Sequence, residues 1–164
     1  MSEQTTPSRR SFVKGVGGSV ALGMGAAYVP SSVKGANDKL NVAVIGVGGR
    51  GSSLLREVCG LRDSKGILEV IGVCDIYMKR VDRAVEVSGA KGYTDYKELL
   101  QVKELDAVII ATPDHWHAQM AIDACNAGKD VYLEKPMTHT TDEARELWQV
   151  VKKTGKVLQV GSQT

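Results

Sequence analysis

Apolar residues along the chain fall into two alternating kinds of stretch. Short, mostly continuous runs occur at Val42–Ile45, Leu68–Cys74, Asp106–Ala111, Asp130–Leu133 and Val157–Val160. They are too brief for helices and are flanked by glycine, proline or acidic residues, so they read as strands buried on both faces. Between them the apolar spacing changes to three and four. Leu54, Leu55 and Val58 form one such stripe, Met78, Val81, Ala84 and Val85 a second, Ala118, Ala121, Ile122 and Cys125 a third, and Ala144, Leu147, Trp148 and Val151 a fourth. These are the buried faces of helices.

Turn chemistry sets the ends of these elements. The first helix is expected to stop near Gly60, the second at Gly89, and the third, Asp114–Ala127, at Gly128. A capping box of Thr140 and Glu143 opens the fourth, and Lys152, Lys153 and Gly155 close it. Lys91–Tyr93 adds a short strand, and Asp95 with Glu98 caps a brief helix carrying Leu99 and Leu100. Six strands alternating with helices predict an α/β fold, a doubly wound parallel sheet of Rossmann type, over residues 37–161.

In such a sheet a ligand lies across the carboxyl ends of the strands. That rule makes spatial neighbours of Gly46–Gly51, Asp75, Thr112–His117, Glu134–Pro136 and Gly161–Gln163. Gly46, Gly48 and Gly51 follow the first strand in the spacing G-x-G-x-x-G. The first glycine makes a tight turn, the second lets backbone approach a pyrophosphate, and the third lets helix pack on strand. The helix behind them would aim unpaired N–H groups at the phosphates. Eighteen glycines in the chain make a bare triplet weak, so its weight comes from the strand before it and from Asp75 at the end of the next strand. A carboxylate there accepts hydrogen bonds from a ribose diol and repels a 2′-phosphate, which favours NAD over NADP; Lys79 and Arg80 temper that preference. The alternative role for Asp75 is to cap the following helix.

Composition narrows the picture further. The 164 residues suffice for one domain and a tail, and a formal charge of +2 gives no footing for nucleic-acid binding. Cys59, Cys74 and Cys125 sit within apolar patterns and read as small buried hydrophobes. His115 and His117, two apart on a helix, point to nearly opposite sides and do not make a metal site with Asp114. Trp116 and Trp148 read as core or domain-interface packing. Ser8-Arg9-Arg10-Ser11-Phe12-Val13-Lys14 precedes an apolar, glycine-rich run to Val29 that is short for a bilayer span. It resembles a twin-arginine export signal, implying the export machinery as a partner and a periplasmic destination, or a membrane anchor if uncleaved. Signal and linker would occupy residues 1–36. That route carries folded proteins, which suits one that must acquire a cytoplasmic cofactor before export.

From Leu40 to Thr164 the chain resembles the N-terminal half of the Gfo/Idh/MocA oxidoreductases, the family of glucose-fructose oxidoreductase and inositol dehydrogenase. The likeness is carried by Gly46-Val47-Gly48-Gly49-Arg50-Gly51, by Ala111-Thr112-Pro113 with His117 shortly after, and most specifically by Glu134-Lys135-Pro136 at a strand end. Asp114-His115-Trp116-His117 behind an export signal is similar to a bacterial branch that often carries twin-arginine signals; Asp114 stands where some relatives have asparagine. The resemblance implies an NAD cofactor held by Gly46, Gly48, Gly49, Arg50, Gly51, Asp75, Thr112, Pro113, His117, Glu134 and Lys135. Thr112, Pro113 and His117 would lie along its ribose or nicotinamide. It implies a cis Lys135–Pro136 bond that aims Lys135 inward among apolar groups, where the ammonium serves as the catalytic proton donor or acceptor during hydride transfer with a sugar, polyol or related hydroxy compound. It also implies a homo-oligomer and a second, C-terminal α/β domain, with residues 162–164 as its start, so the chain reads as truncated. Two alternatives stand beside this. Some relatives use bound NAD for a transient oxidation that cleaves a glycosidic bond without net redox change, although these tend to depart from Glu-Lys-Pro. The other is a cofactor-binding fragment without activity.

Overall fold

A computed structural model of the chain describes residues 39–162. The twin-arginine segment, its linker and Gln163 lie outside the described residues. Six parallel strands form one sheet: β1 (Leu40–Ile45), β2 (Leu68–Cys74), β3 (Lys91–Tyr93), β4 (Ala107–Ile110), β5 (Asp130–Glu134) and β6 (Leu158–Gly161). Their order is β3-β2-β1-β4-β5-β6, so the chain leaves β1 for one edge, returns, and builds outward on the other side. The crevice at that reversal, between β1 and β4, is where a doubly wound sheet takes its ligand. The fold predicted from the alternation of patterns is the fold observed.

The helices are α1 (Gly49–Lys65), α2 (Met78–Ser88), α3 (Tyr96–Leu100), α4 (His117–Asn126) and α5 (Thr141–Thr154), with a single 3₁₀ turn at Asp114–Trp116. Side chains alternate across β1. Val42 and Val44 join the cluster under α1 and α2 with Leu55, Cys59 and Ala84, while Ala43 and Ile45 join the cluster on the other face with Leu99, Ala121, Cys125 and Leu147. Each fully buried branched side chain of this kind stabilises the fold by about 1.5–3 kcal/mol. The three cysteines are free and buried, as their apolar settings suggest.

Several boundaries differ from those expected. α1 runs through Gly60, which is exposed, and stops where Gly66 takes a left-handed φ of 63° and donates its amide to the Arg62 carbonyl. A glycine inside a helix costs only about 1 kcal/mol, whereas the left-handed residue after it ends the hydrogen-bond ladder. The helix expected over Asp114–Ala127 begins as the 3₁₀ turn behind Pro113 and becomes α-helical only at His117. Trp116 and Trp148 are not core residues; they are 45% and 64% exposed. The capping box at Thr140 is present, with both of its reciprocal hydrogen bonds made.

At the amino end of the sheet, away from the crevice, Lys129 is buried and donates to the carbonyls of Val102 (2.8 Å) and Leu105 (2.9 Å). Burial pushes its ammonium below the ordinary lysine range.

Candidate functional site

β1 ends in the glycine turn because Gly46 can take φ +84°; a Cβ there would meet the Ala111 carbonyl carbon and oxygen at 2.8 Å. Its amide donates to the Cys74 carbonyl at 2.8 Å, tying the turn to β2. Gly51 is packed more closely still, since a Cβ on it would lie 1.7 Å from the Gly46 carbonyl oxygen. A Cβ on Gly49, by contrast, would meet nothing within 4 Å, and one on Gly48 only the Arg80 guanidinium at 3.6 Å. The loop is therefore tight behind and open in front. Gly48 is the N-cap and the first turn of α1 holds no acidic residue, which suits an anion at this end of the helix.

That opening is a cleft of about 550 Å³ at the carboxyl ends of the strands, bordered by Gly46, Gly48, Gly49, Asp75, Thr112 and Pro113, and beyond them by Tyr96, Trp116 and Met120. Asp75 is buried. One carboxylate oxygen accepts the Val47 amide at 3.0 Å and the other the Tyr77 amide at 2.9 Å. Arg80 Nη1 lies 3.7 Å from the same carboxylate. Asp75 thus shapes the glycine loop and also holds Tyr77, the residue that precedes α2, but it does not cap that helix, which has no side-chain capping bond. Thr112 Oγ1 is buried with no hydrogen-bond partner among the described residues. A buried hydroxyl is rarely left unpaired, and Thr112 is a residue of the cleft wall, so its Oγ1 suits a polar group of a bound ligand. A glycine cradle open in front, a helix N-terminus with no acid in its first turn and an orphaned hydroxyl together suit a dinucleotide.

The remaining expected site residues form the wall behind the cleft. His117 is 1% exposed, with Nδ1 2.6 Å from the Pro136 carbonyl oxygen and Nε2 2.9 Å from that of Thr112. Its ring joins the segments after β4 and β5, and His117 is not among the residues that line the cleft. Arg50 Nε donates to Glu134 Oε1 at 2.7 Å, and Lys135 N donates to Glu134 Oε2 at 3.2 Å. The Lys135–Pro136 peptide is cis, as the resemblance implies. Lys135 itself, the residue after the end of β5, is exposed in this domain and is not enclosed among apolar groups. Asp114, in the turn after β4, lies 3.4 Å from His139 Nδ1, a hydrogen bond that holds its carboxyl below the usual carboxylate range.

Sequence reasoning missed Thr94, Tyr96 and Met120 as cleft residues. Thr94 directly follows β3, so the rule that ligands sit at strand carboxyl ends reaches it. Tyr96 and Met120 carry no local signal, since each reads as an ordinary helix residue.

A family model described as an oxidoreductase family with an NAD-binding Rossmann fold matches residues 40–162. A glycosyl hydrolase family 109 protein of Shewanella sp. strain ANA-3 is 36% identical over 127 residues, covering 71% of this chain and 27% of that protein. The crystal structure of a myo-inositol 2-dehydrogenase from Lactobacillus plantarum superposes with a TM-score of 0.70 at 28% identity, over 76% of this chain and 36% of that one. A dehydrogenase from Chromobacterium violaceum, WlbA, solved with NADH and UDP-GlcNAcA, superposes with a TM-score of 0.69 at 31% identity, over 75% and 35%. The chain thus spans about a quarter to a third of the length of these proteins.

Proposed function

Because the chain belongs to the Gfo/Idh/MocA oxidoreductase family, whose model here is the NAD-binding Rossmann domain, we propose that it serves hydride exchange between nicotinamide and a carbon of a sugar, polyol or related hydroxy compound. The observation that carries the reading is the cleft itself, with Gly46, Gly48 and Gly49 on one side, Thr112 and Pro113 on the other, and Asp75 at one end. NAD, when bound, accepts or supplies the hydride. The chain's own residues do the rest. The open amides of the α1 first turn bind the diphosphate. The Asp75 carboxylate, still holding unused lone pairs, accepts from the ribose diol and disfavours a 2′-phosphate, so NAD is preferred over NADP. Thr112 Oγ1 gains a partner from the ligand.

Lys135 is the group that handles the proton. Its ammonium gives a proton to the substrate oxygen as a carbonyl is reduced, and in oxidation its neutral amine takes the proton from the hydroxyl. Its exposure in the described domain leaves it accessible to a substrate held by another part of a longer protein. A homo-oligomer, and export through the twin-arginine machinery to the periplasm, belong to the same proposal for the whole protein.

The family 109 glycosyl hydrolases among the similar proteins favour a second reading, cleavage of a glycosidic bond by transient oxidation and re-reduction with no net redox change. The retained Glu134-Lys135-Pro136 argues for the first. A longer form of the protein, incubated with NAD and a panel of polyols, sugars and aryl glycosides, separates the two. Accumulating NADH with a polyol or sugar supports the dehydrogenase. Release of aglycone without NADH overturns it in favour of the glycosidase, and turnover of nothing in the panel leaves only cofactor binding.

A further inference from the structure

Arg50 and Glu134 are 84 residues apart in sequence and meet behind the cleft. Arg50 belongs to the first turn of α1, the turn that presents its amides to the cleft, and Glu134 is the last residue of β5, directly before Lys135. The two side chains differ in setting. The Glu134 side chain is 5% exposed and that of Arg50 is 41% exposed. A carboxylate so buried is stable only when a cation and further donors satisfy it. Here the cation is Arg50 and the second donor is the Lys135 backbone amide. Neither Arg50 nor Glu134 lines the cleft. On the far side of the same turn the Pro136 carbonyl is held by His117, whose other ring nitrogen faces the Thr112 carbonyl. The peptide carrying Lys135 is therefore braced from the glycine loop and from the β4 segment at once.

We propose that Arg50 and Glu134 are positioning residues: the pair clasps the Lys135 peptide to the first turn of α1, so that a diphosphate seated on that turn and the lysine ammonium share one rigid frame. The inference rests on the reading of Lys135 as the proton-handling group. Two donors converge on Glu134, one on each oxygen. A glutamine in its place offers a single acceptor oxygen, and the guanidinium, the stronger donor, claims it. The Lys135 amide then faces an NH₂ group and is released.

Amide exchange followed by NMR on the 164-residue chain, with and without NAD, tests this. In the free chain Glu134→Gln is expected to speed exchange at the Lys135 amide at least fivefold while the sheet amides of Val108 and Val131 keep wild-type rates. Arg50→Gln is expected to do the same, and Arg50→Lys, which keeps a cation against Glu134, to stay within twofold of wild type. NAD is expected to slow Lys135 exchange in the wild type and not in Glu134→Gln. Wild-type exchange at Lys135 in Glu134→Gln overturns the clasp, as does a uniform acceleration of all amides. A tenfold loss of NAD affinity with Lys135 exchange unchanged also overturns it, by making Glu134 a direct ligand. Should Glu134→Gln not fold, the Arg50→Lys and Arg50→Gln pair carries the same comparison. If the wild-type chain fails to bind NAD, the cofactor reading falls, and the ligand-free rates still decide the clasp.

Discussion

The Val47 amide donates to the Asp75 carboxylate at 3.0 Å, so the acid at the end of β2 holds in place the glycine loop that it borders. The buried group proposed to meet the ribose is thus also the one that shapes the turn proposed to take the phosphates. Asp75→Asn places an NH₂ group against one of two backbone amides that now donate to it. It is expected to cost about 1–3 kcal/mol of stability, to weaken NAD binding, and to narrow the NAD-to-NADP preference. Urea unfolding and titrations with both dinucleotides check this; unchanged stability would show that the loop does not depend on the carboxylate.

The glycines of the loop are not equivalent. At Gly51 a methyl group would lie 1.7 Å from the Gly46 carbonyl oxygen, and at Gly49 it meets nothing. Gly51→Ala is expected to destabilise the chain by at least about 1–3 kcal/mol through forced displacement of the turn, and to abolish NAD binding with it. Gly49→Ala is expected to leave stability within about 1 kcal/mol, while its methyl group, at the cleft, lowers NAD affinity. Paired unfolding and binding curves for the two variants separate the structural glycine from the ligand-facing one.

Lys129 supplies a pH test away from the site. Burial holds its folded pKa below the 10.5 of an ordinary lysine. The folded chain therefore binds this proton more weakly than the unfolded chain does. The penalty is full below the folded pKa and fades as pH rises from there toward 10.5. Lys129→Met removes the penalty but strands the Val102 and Leu105 carbonyls, so at neutral pH it is expected to destabilise by about 1–3 kcal/mol. The gap in favour of the wild type is expected to widen on the alkaline side. A gap that narrows as pH rises would contradict the sign.

The thiols report on the core. Burial pushes the Cys74 thiol up to about 12 and raises those of Cys125 and Cys59. At pH 8 the folded chain is expected to react with a disulfide reagent at well under one thiol over minutes, and at all three in urea. Rapid labelling of the folded chain would place a cysteine outside the core.

The sheet was legible in sequence because buried parallel strands and amphipathic helices leave different apolar periods, and because Gly46 and Gly51 are required by backbone geometry. Boundaries were less so. Gly60 reads as a stop only until one knows that Gly66 takes the left-handed conformation. Of the site, Thr112 and Pro113 reach the cleft as expected, since a strand ending at Ile110 delivers them there. His117 does not, because nothing local in the sequence indicates that the Pro136 and Thr112 carbonyls will bracket its ring. The Arg50–Glu134 pair was equally invisible as a pair: each residue stood in a motif, but the contact between the motifs exists only once β1 and β5 flank β4 in one sheet.

The central claim is that the glycine loop and the Thr112 segment grip a dinucleotide between them. Titrating NAD into the ¹⁵N-labelled chain tests it most directly. Saturable shifts are expected, largest at the amides of Val47, Gly48, Gly49 and Thr112, with Lys129 and its neighbours unmoved. Saturable shifts centred elsewhere, or none at millimolar NAD, would contradict it.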